Sequence, residues 1–214
     1  GTGASDPALG QPGVVLLGDV GWNTWEEMNV ALLGGANFGW PCFEGIPAQG
    51  GYQSYNPADP AKVDCFSPVS GTLTSPRAAW HHSNANALKP TGVYFGLDGQ
   101  PKPGFAGNCA IGGPIYAGGS YPAEYVGRMF FADYGQTFIK TVEFGGGYSV
   151  VALRDFATST GAIVDLETQP STGDLYGVSL TTNGLVHIRY GANFTPIAVA
   201  TAVPTLGPAP LAVS

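Results

Sequence analysis

Short apolar and aromatic segments recur along the chain, and each is bounded by glycine, proline, asparagine or aspartate. Segments of about four to eight residues between such boundaries are typical of β-strands. From residue 113 onward they follow one another at roughly the 8–12 residue spacing of antiparallel meanders. The pattern predicts strands at 14–20, 113–117, 128–134, 138–144, 148–156, 163–168, 174–179 and 185–190.

The segments between these predicted strands have the composition of tight turns. Residues 145–147, 171–174 and 182–184 supply glycine, asparagine, aspartate and serine, which tolerate positive φ or bond to their own backbone. Repeated antiparallel units of this kind indicate the blades of a β-propeller. A β-sandwich has the same spacing and remains the alternative. The predicted fold class is therefore all-β, with a partial β-propeller as the first interpretation.

Three regions depart from this strand pattern. Residues 43–110 contain few apolar segments. Loops this long inside a domain commonly have a function or are held by a covalent cross-link. A short helical turn is predicted over 24–29, because Thr24 can cap it and Glu27 stands three residues later. Residues 196–210 are rich in proline, alanine, threonine and valine, which indicates a linker.

The composition narrows the class of protein. The chain has 33 glycines and 18 prolines among 214 residues and only 11% charged residues, which excludes a long-helix protein. Aromatic residues make up 12% and supply a core, which argues against disorder. No apolar run reaches the roughly 18 residues of a membrane span. The net charge of −7 disfavours binding to nucleic acids or anionic membranes.

The three cysteines are Cys42, Cys65 and Cys109. Cys42 and Cys65 flank a segment with little else to order it, so a disulfide in an oxidising compartment is favoured over two buried thiols. Cys109 is interpreted as a buried thiol or as a cysteine whose partner lies outside this sequence. Because neither an initiator methionine nor a signal peptide is present, and 211–214 reads as the start of a strand, we expect a piece of a longer secreted protein.

The densest group of polar residues lies at 18–29 and continues into 34–45. Asp19, Glu26 and Glu27 stand there among asparagines and glycines. Calcium binds this mixture of carboxylate, amide and main-chain oxygens. The alternative is a turn whose acids cap backbone N–H groups while its tryptophans pack. The chemistry alone weighs these two interpretations about equally.

His81 and His82 suggest a metal site, but the spacing does not support one. Adjacent side chains of an extended segment point to opposite faces, and no second Cys/His cluster accompanies them. A hydrogen-bonded loop histidine is the favoured interpretation. The sequence also lacks a GxSxG elbow and a GxxxxGKS phosphate loop.

The segments GDVGWNTWEEMN at 18–29 and GGANFGWPCFEG at 34–45 resemble the signature of the glucose/sorbosone dehydrogenase family. Its members are secreted six-bladed β-propellers, among them the quinoprotein sugar dehydrogenases. The resemblance implies about three blades, the C-terminal half of a propeller, over 1–191. Residues 192–214 resemble a linker and the first strand of a polycystic-kidney-disease-type (PKD) domain, which is immunoglobulin-like. Further similar segments are 110–116, 120–122, 127–134, 164–167 and 173–176.

The resemblance also implies a site. In sugar-oxidising members, two consecutive main-chain carbonyls hold the calcium on which pyrroloquinoline quinone (PQQ) sits, and they match Gly21 and Trp22. Acids that match Glu26 and Glu27 help to hold a further calcium in some members. The implied activity is PQQ- and calcium-dependent oxidation of a sugar hydroxyl by hydride transfer to the quinone.

Other parts of the family's site have no match in this sequence. The catalytic histidine and an Arg-Asn pair should lie upstream of residue 1. The Arg-x-Arg-Asp clamp for the cofactor corresponds to 162–165, which reads Ala-Ile-Val-Asp, and a lysine expected near 134–136 is absent. Loss of these charge-assisted partners costs on the order of several kcal/mol of cofactor affinity. We therefore expect this chain alone to be inactive.

The second hypothesis is a non-catalytic extracellular propeller. Such a module would present the long loops of 43–110 to a glycan or a protein. In either case a half-propeller exposes strand edges, which pair readily with another chain. We therefore expect the remaining half of the propeller, or a second copy of this chain, to cover them.

Overall fold

The structure is a computed structural model, and it describes residues 13–53, 65, 73–85 and 105–191 and the strand at 196–201. Eleven strands in these residues form three antiparallel sheets, so the protein is all-β. The one α-helix in this part of the chain, α1, has four residues, Gly50–Gln53. Short 3₁₀ turns lie at Ala123–Tyr125 and Gly146–Tyr148. Within the same residues no helix has the length and apolar character needed to cross a lipid bilayer.

The first sheet has three strands in the order β1 (Val15–Asp19), β2 (Trp25–Ala31) and β3 (Ala78–His81). β2 is the central strand, and its first six residues are all buried. Glu26 pairs in register with Trp80 of β3, so two of the sheet's buried side chains stand directly opposite each other.

The predicted helical turn over 24–29 is wrong, because most of that segment lies in β2. A strand paired on both sides satisfies its buried backbone groups, whereas one isolated helical turn is marginal. Glu27, which was expected to complete a capping pattern with Thr24, instead accepts a hydrogen bond from the backbone amide of Gly45. Tertiary pairing thus overrides the local capping signal.

The second and third sheets each have four strands. Within each sheet, strands that are consecutive in sequence are neighbours in space, which is the connectivity of propeller blades. The second sheet contains β4 (Ala110–Ile111), β5 (Met129–Asp133), β6 (Phe138–Phe144) and β7 (Val150–Ala157). The third contains β8 (Ile163–Thr168), β9 (Leu175–Ser179), β10 (Gly184–Tyr190) and β11 (Pro196–Thr201).

The first strands of the three sheets contact one another. β1 lies against β4, and β4 and β5 lie against β8. A Cβ atom at Gly18 of β1 would lie only 2.9 Å from the carbonyl oxygen of Ala110 in β4, so this contact requires glycine. First strands that meet, with later strands of each sheet farther out, are typical of blades around a propeller axis. The predicted all-β, propeller-like fold class is confirmed.

Most of the predicted strands are confirmed, with bounds shifted by one or two residues. The prediction at 113–117 is wrong, because only an isolated bridge between Ile115 and Met129 forms there. The sequence pattern did not predict β2, β3, β4 or β11 as strands. The predicted linker at 196–210 is wrong over its first six residues, because Pro196–Thr201 form β11, which pairs with β10. The boundary between 191 and 192 stays a prediction: β11 pairs with β10, and residues 202–214 lie outside the described residues.

An aromatic cluster packs the third sheet against the second. The rings of Phe130 and Phe156 meet edge to face, with centroids 4.7 Å apart. The buried hydroxyl of Tyr121 accepts a hydrogen bond from the amide of Leu175 at 2.8 Å and donates to the carbonyl oxygen of Ile188 at 2.5 Å. Because its polar end is paired, the ring adds apolar area to this core without an unsatisfied group.

A polar cluster around Asp174 ties the loop before β5 to the third sheet. Ser120 donates a hydrogen bond to one carboxylate oxygen, and His187 Nε2 lies 2.9 Å from the other. Arg189 Nε donates to His187 Nδ1 at 3.2 Å, which leaves the proton on Nε2 for Asp174. Burial by itself would raise the pKa of Asp174, but the hydrogen bonds from Ser120 and His187 lower it.

We expect Asp174→Asn to destabilise the protein by about 1 kcal/mol at neutral pH, because the charged acceptor of two hydrogen bonds is lost. The folded-state pKa lies below the unfolded value of 3.8. The contribution is therefore present above that value and is lost as the pH falls through the folded-state pKa. Urea denaturation at neutral and acidic pH checks this, with Glu167→Gln, an exposed acid on β8, as the control. A difference from wild type that stays constant with pH would contradict it.

Candidate functional site

Glu26 and Glu27 are adjacent in β2, so their side chains lie on opposite faces of the first sheet. Both are buried, with 0% and 5% of their surface exposed. The two carboxylates that the family resemblance assigns to a further calcium therefore have different neighbours, and each face of β2 forms its own polar site.

On one face, Glu26 meets His82. Glu26 Oε2 accepts a hydrogen bond from the amide of Ala110 at 2.5 Å. Its Oε1 lies 2.5 Å from His82 Nε2, yet neither atom makes a hydrogen bond of acceptable geometry. Burial raises the pKa of Glu26 to about 8, in spite of the Ala110 bond, and burial lowers the pKa of His82. Both shifts favour the neutral forms, so near neutral pH Glu26 is a protonated acid and His82 is a neutral imidazole.

Next to this pair lie Asp133 and Cys109. The buried Asp133 carboxylate accepts hydrogen bonds from the amide of Cys109 at 3.1 Å and from that of Gln136 at 2.8 Å. Cys109 is a free, half-buried thiol whose pKa is raised by burial and by the carboxylates of Glu26 and Asp133. Because the thiolate is the nucleophile, this environment does not make Cys109 reactive.

On the other face, Glu27 connects β2 to the loop at residue 45. It accepts hydrogen bonds from the Gly45 amide and, at 2.9 Å, from Asn29 Nδ2. Asn29 also reaches Asp19 at 3.2 Å. Burial raises the pKa of Glu27 to about 7. Its two oxygens are thus occupied in holding the loop in place.

Glu44, which sequence reasoning did not single out, organises the turn between β1 and β2. Its Oε1 accepts hydrogen bonds from three consecutive amides, those of Asn23, Thr24 and Trp25, at 3.0, 2.7 and 2.9 Å. Its Oε2 accepts one from Gln49 Nε2 at 2.9 Å. Burial opposes ionisation, but these bonds lower the pKa of Glu44 overall. The buried side chain is therefore an anion held by the backbone.

This convergence of amides orients the carbonyl groups of the turn. In a trans peptide the C=O and the following N–H point in opposite directions, so the Trp22 carbonyl points away from Glu44. Within the described residues, neither Gly21 nor Trp22 accepts a backbone hydrogen bond through its carbonyl oxygen. A Cβ atom at Gly21 would overlap the carbonyl oxygen of Trp25, so the turn requires glycine there.

The side chains of the described residues provide no group of three or more His, Cys, Asp or Glu that could hold a metal ion. A cation bound at this turn would depend mainly on main-chain oxygens and water. Calcium accepts such ligands, because it binds backbone carbonyls alongside carboxylates.

The predicted disulfide between Cys42 and Cys65 is confirmed, with Cα atoms 5.4 Å apart. It anchors the loop that follows the Glu44 turn, since the carbonyl of Cys42 also accepts a hydrogen bond from the amide of Gln49 at 2.9 Å. A disulfide of this kind is compatible with an extracellular protein.

The two histidines diverge, as expected for neighbours in an extended segment. His81 Nδ1 accepts hydrogen bonds from the amides of Ser83 and Asn84 at 3.1 and 3.2 Å. Its ring packs edge-on against Trp25, with centroids 5.2 Å apart. The interpretation of His81 as a hydrogen-bonded histidine is confirmed, whereas His82 belongs to the Glu26 site.

Comparison with known proteins adds little to this description. No family model and no curated protein matches the sequence. One solved structure, a glucose dehydrogenase, is similar at a TM-score of 0.47 and 19% identity, over 92% of this chain and 43% of that one. The chain thus spans less than half the length of the protein it matches. A similarity of this size carries no functional argument.

Proposed function

We propose that this chain is part of an extracellular sugar dehydrogenase-type β-propeller whose turn at Gly21 and Trp22 binds calcium. The observation that carries the proposal is the geometry of that turn. Its amides are used by the buried Glu44 carboxylate, while the carbonyl oxygens of Gly21 and Trp22 have no backbone partner in the described residues. These oxygens are available to a hard cation.

These donors fit a single calcium ion, which would be bound by the carbonyl oxygens of Gly21 and Trp22, with water molecules completing its coordination shell. A further ion at Glu26 and Glu27 would have to displace the hydrogen bonds that these acids accept from Ala110 and Gly45. When bound, calcium supplies Lewis-acid polarisation of an oxygen atom.

PQQ does not fit the residues that correspond to its clamp. It carries three carboxylates, and residues 162–165 offer no cation. In β8 Ile163 is buried, and Val164 and the acidic Asp165 are exposed. Oxidation would therefore require cationic groups from other residues.

This chain's contribution to oxidation would be a proton site. Near neutral pH Glu26 is protonated, because its pKa is about 8, and the neutral imidazole of His82 beside it is the group that can accept a proton. Removal of a hydroxyl proton needs a base of matched pKa. The backbone of Gly21 is close enough to Glu26 to lower its pKa, so the proton site adjoins the proposed calcium turn.

Calorimetric titration of the intact protein with calcium, with and without PQQ, tests the proposal. Gly21→Ala should weaken calcium binding by at least about tenfold, since the added Cβ displaces the turn. Gly34→Ala is the matched control, because nothing lies within 4 Å of a Cβ there. Unchanged calcium affinity in Gly21→Ala, with an unaltered circular dichroism spectrum, would refute the calcium site.

The second candidate is a non-catalytic glycan-binding propeller, which the lack of cationic partners at 162–165 favours. The same titration separates the two candidates. Calcium-dependent PQQ binding with sugar-dependent dye reduction supports the dehydrogenase. Calcium binding without PQQ binding supports the recognition module.

A further inference from the structure

Three aromatic residues cluster at the surface beside the calcium turn: Trp22, Trp40 and Tyr52, which we call the aromatic platform. The two tryptophans are 56% and 52% exposed. Tyr52 lies between them, with ring centroids 5.2 Å from Trp22 and 5.4 Å from Trp40. Because each ring carries a large apolar area, a cluster left in water marks a binding surface.

The platform is held in place from below by a buried polar network. Gln49 Nε2 donates to Asn23 Oδ1 at 3.0 Å and to Glu44 Oε2 at 2.9 Å. Asn23 adjoins Trp22, and the carbonyl of Gln49 accepts a hydrogen bond from the amide of Tyr52 at 3.0 Å. The segments of two of the three rings are thus connected through a single buried residue, Gln49, by its side chain towards Asn23 and by its main chain towards Tyr52.

The segment of Trp40 is fixed separately. The carbonyl of Gly39 accepts hydrogen bonds from the amides of Cys42 and Phe43 at 2.9 and 3.0 Å. Cys42 is then bridged to Cys65. A surface ordered in this way before a ligand arrives loses little conformational entropy on binding.

The polar atoms of the platform are neutral hydrogen-bond donors. Asn23 Oδ1 already accepts from Thr24 and Gln49, which leaves the Nδ2 group of this exposed side chain without a partner in the described residues. The indole N–H groups and the tyrosine hydroxyl add further donors. The nearby Glu44 carboxylate is buried and fully hydrogen-bonded.

Ring faces edged by neutral donors match a pyranose, which has apolar C–H faces and hydroxyls at its rim. The net charge of −7 argues against a polyanion as the occupant. We propose that the aromatic platform binds a neutral glycan, with a sugar ring stacked on Trp40 and its rim against Tyr52, whose ring plane is tilted by 67° from that of Trp40. This binding requires neither calcium nor a quinone, although a glycan bound here would lie beside the Gly21 turn.

The test is titration of the intact protein, in calcium chelator, with neutral hexasaccharides of glucose, mannose, galactose and xylose. Tryptophan fluorescence and calorimetry report binding. Trp40→Ala and Tyr52→Ala should each weaken binding at least about tenfold, whereas Trp40→Phe, which keeps a ring, should retain most of it. Tyr134→Ala removes an exposed aromatic residue after β5 and serves as the matched control.

Loss of binding in the two alanine variants, with binding kept in Trp40→Phe and Tyr134→Ala, supports the platform. Three results would overturn it: no probe binds the wild type, binding survives both alanine variants, or the platform variants abolish self-association while no sugar binds. The last would assign the surface to a protein contact. Because the titrations are made in chelator, failure of the calcium proposal leaves them unchanged.

Discussion

Replacing Glu44 with alanine is expected to destabilise the protein by about 3 kcal/mol at neutral pH. The change leaves three consecutive amides, at Asn23, Thr24 and Trp25, without their common acceptor. Hydrogen bonds to a charged group contribute about 1.5–3 kcal/mol each, and water reaches part of this turn in the variant. Chemical denaturation of wild type and Glu44→Ala measures the difference in the free energy of unfolding.

Glu44→Gln provides the matched comparison. Glutamine keeps one carbonyl oxygen for the amides but loses the charge, so we expect about half the effect of alanine. Glu167→Ala, at an exposed acid, should change stability by no more than about 0.5 kcal/mol. Equal stability of Glu44→Ala and wild type would show that Glu44 does not hold the turn.

The loss of stability in the Glu44 variants should also depend on pH. Burial opposes ionisation, but the hydrogen bonds from Trp25 and its neighbours keep the folded-state pKa below the reference value of 4.5. The stabilisation is therefore complete above that pH and disappears as the pH falls through the folded-state pKa. Wild type and Glu44→Gln should converge in acid.

Replacing Glu26 with glutamine is expected to stabilise the protein in alkaline solution. Burial raises the pKa of Glu26 from 4.5 to about 8. The protonated Glu26 side chain therefore contributes fully to the stability of the folded protein below pH 4.5. This contribution is lost as the pH rises through the folded-state pKa of about 8. Glutamine has no such loss, and its amide resembles the protonated acid in shape.

The advantage of Glu26→Gln over wild type should therefore increase from about pH 5 to about pH 9, by on the order of 3 kcal/mol. Urea denaturation across this range, in calcium chelator, measures it. Glu124→Gln, at an exposed acid, is the control. Parallel pH curves for wild type and Glu26→Gln would mean that Glu26 is ionised in the folded protein.

The two outcomes together separate the roles of the buried acids. Glu44 is an anion whose charge the backbone stabilises, whereas Glu26 is held neutral beside His82. Opposite pH dependences in the two glutamine variants would establish this difference without any ligand.

The strands between residues 128 and 190 were predictable because their partners are close in sequence. β5 to β10 pair with the strands next to them, and each connection carries turn residues. The apolar pattern and the turns therefore agree, as they do in any meander.

The first sheet was less predictable. β2 pairs with β3 across residues 32–77, and no local pattern marks a partner at that distance. β2 is also buried along nearly its whole length, so it lacks the alternation that identifies a half-buried strand. Its capping-like residues then favoured a helix.

The sequence by itself predicted the all-β class and the disulfide. It also singled out Gly21, Trp22, Glu26 and Glu27 as candidate site residues. Only the tertiary structure decided what these residues contact. Glu44 lies about twenty residues from the amides it binds, and Ala110 lies 84 residues from Glu26. Side-chain type and spacing are local properties, whereas burial, and with it each acid's charge state, depends on segments that folding brings together.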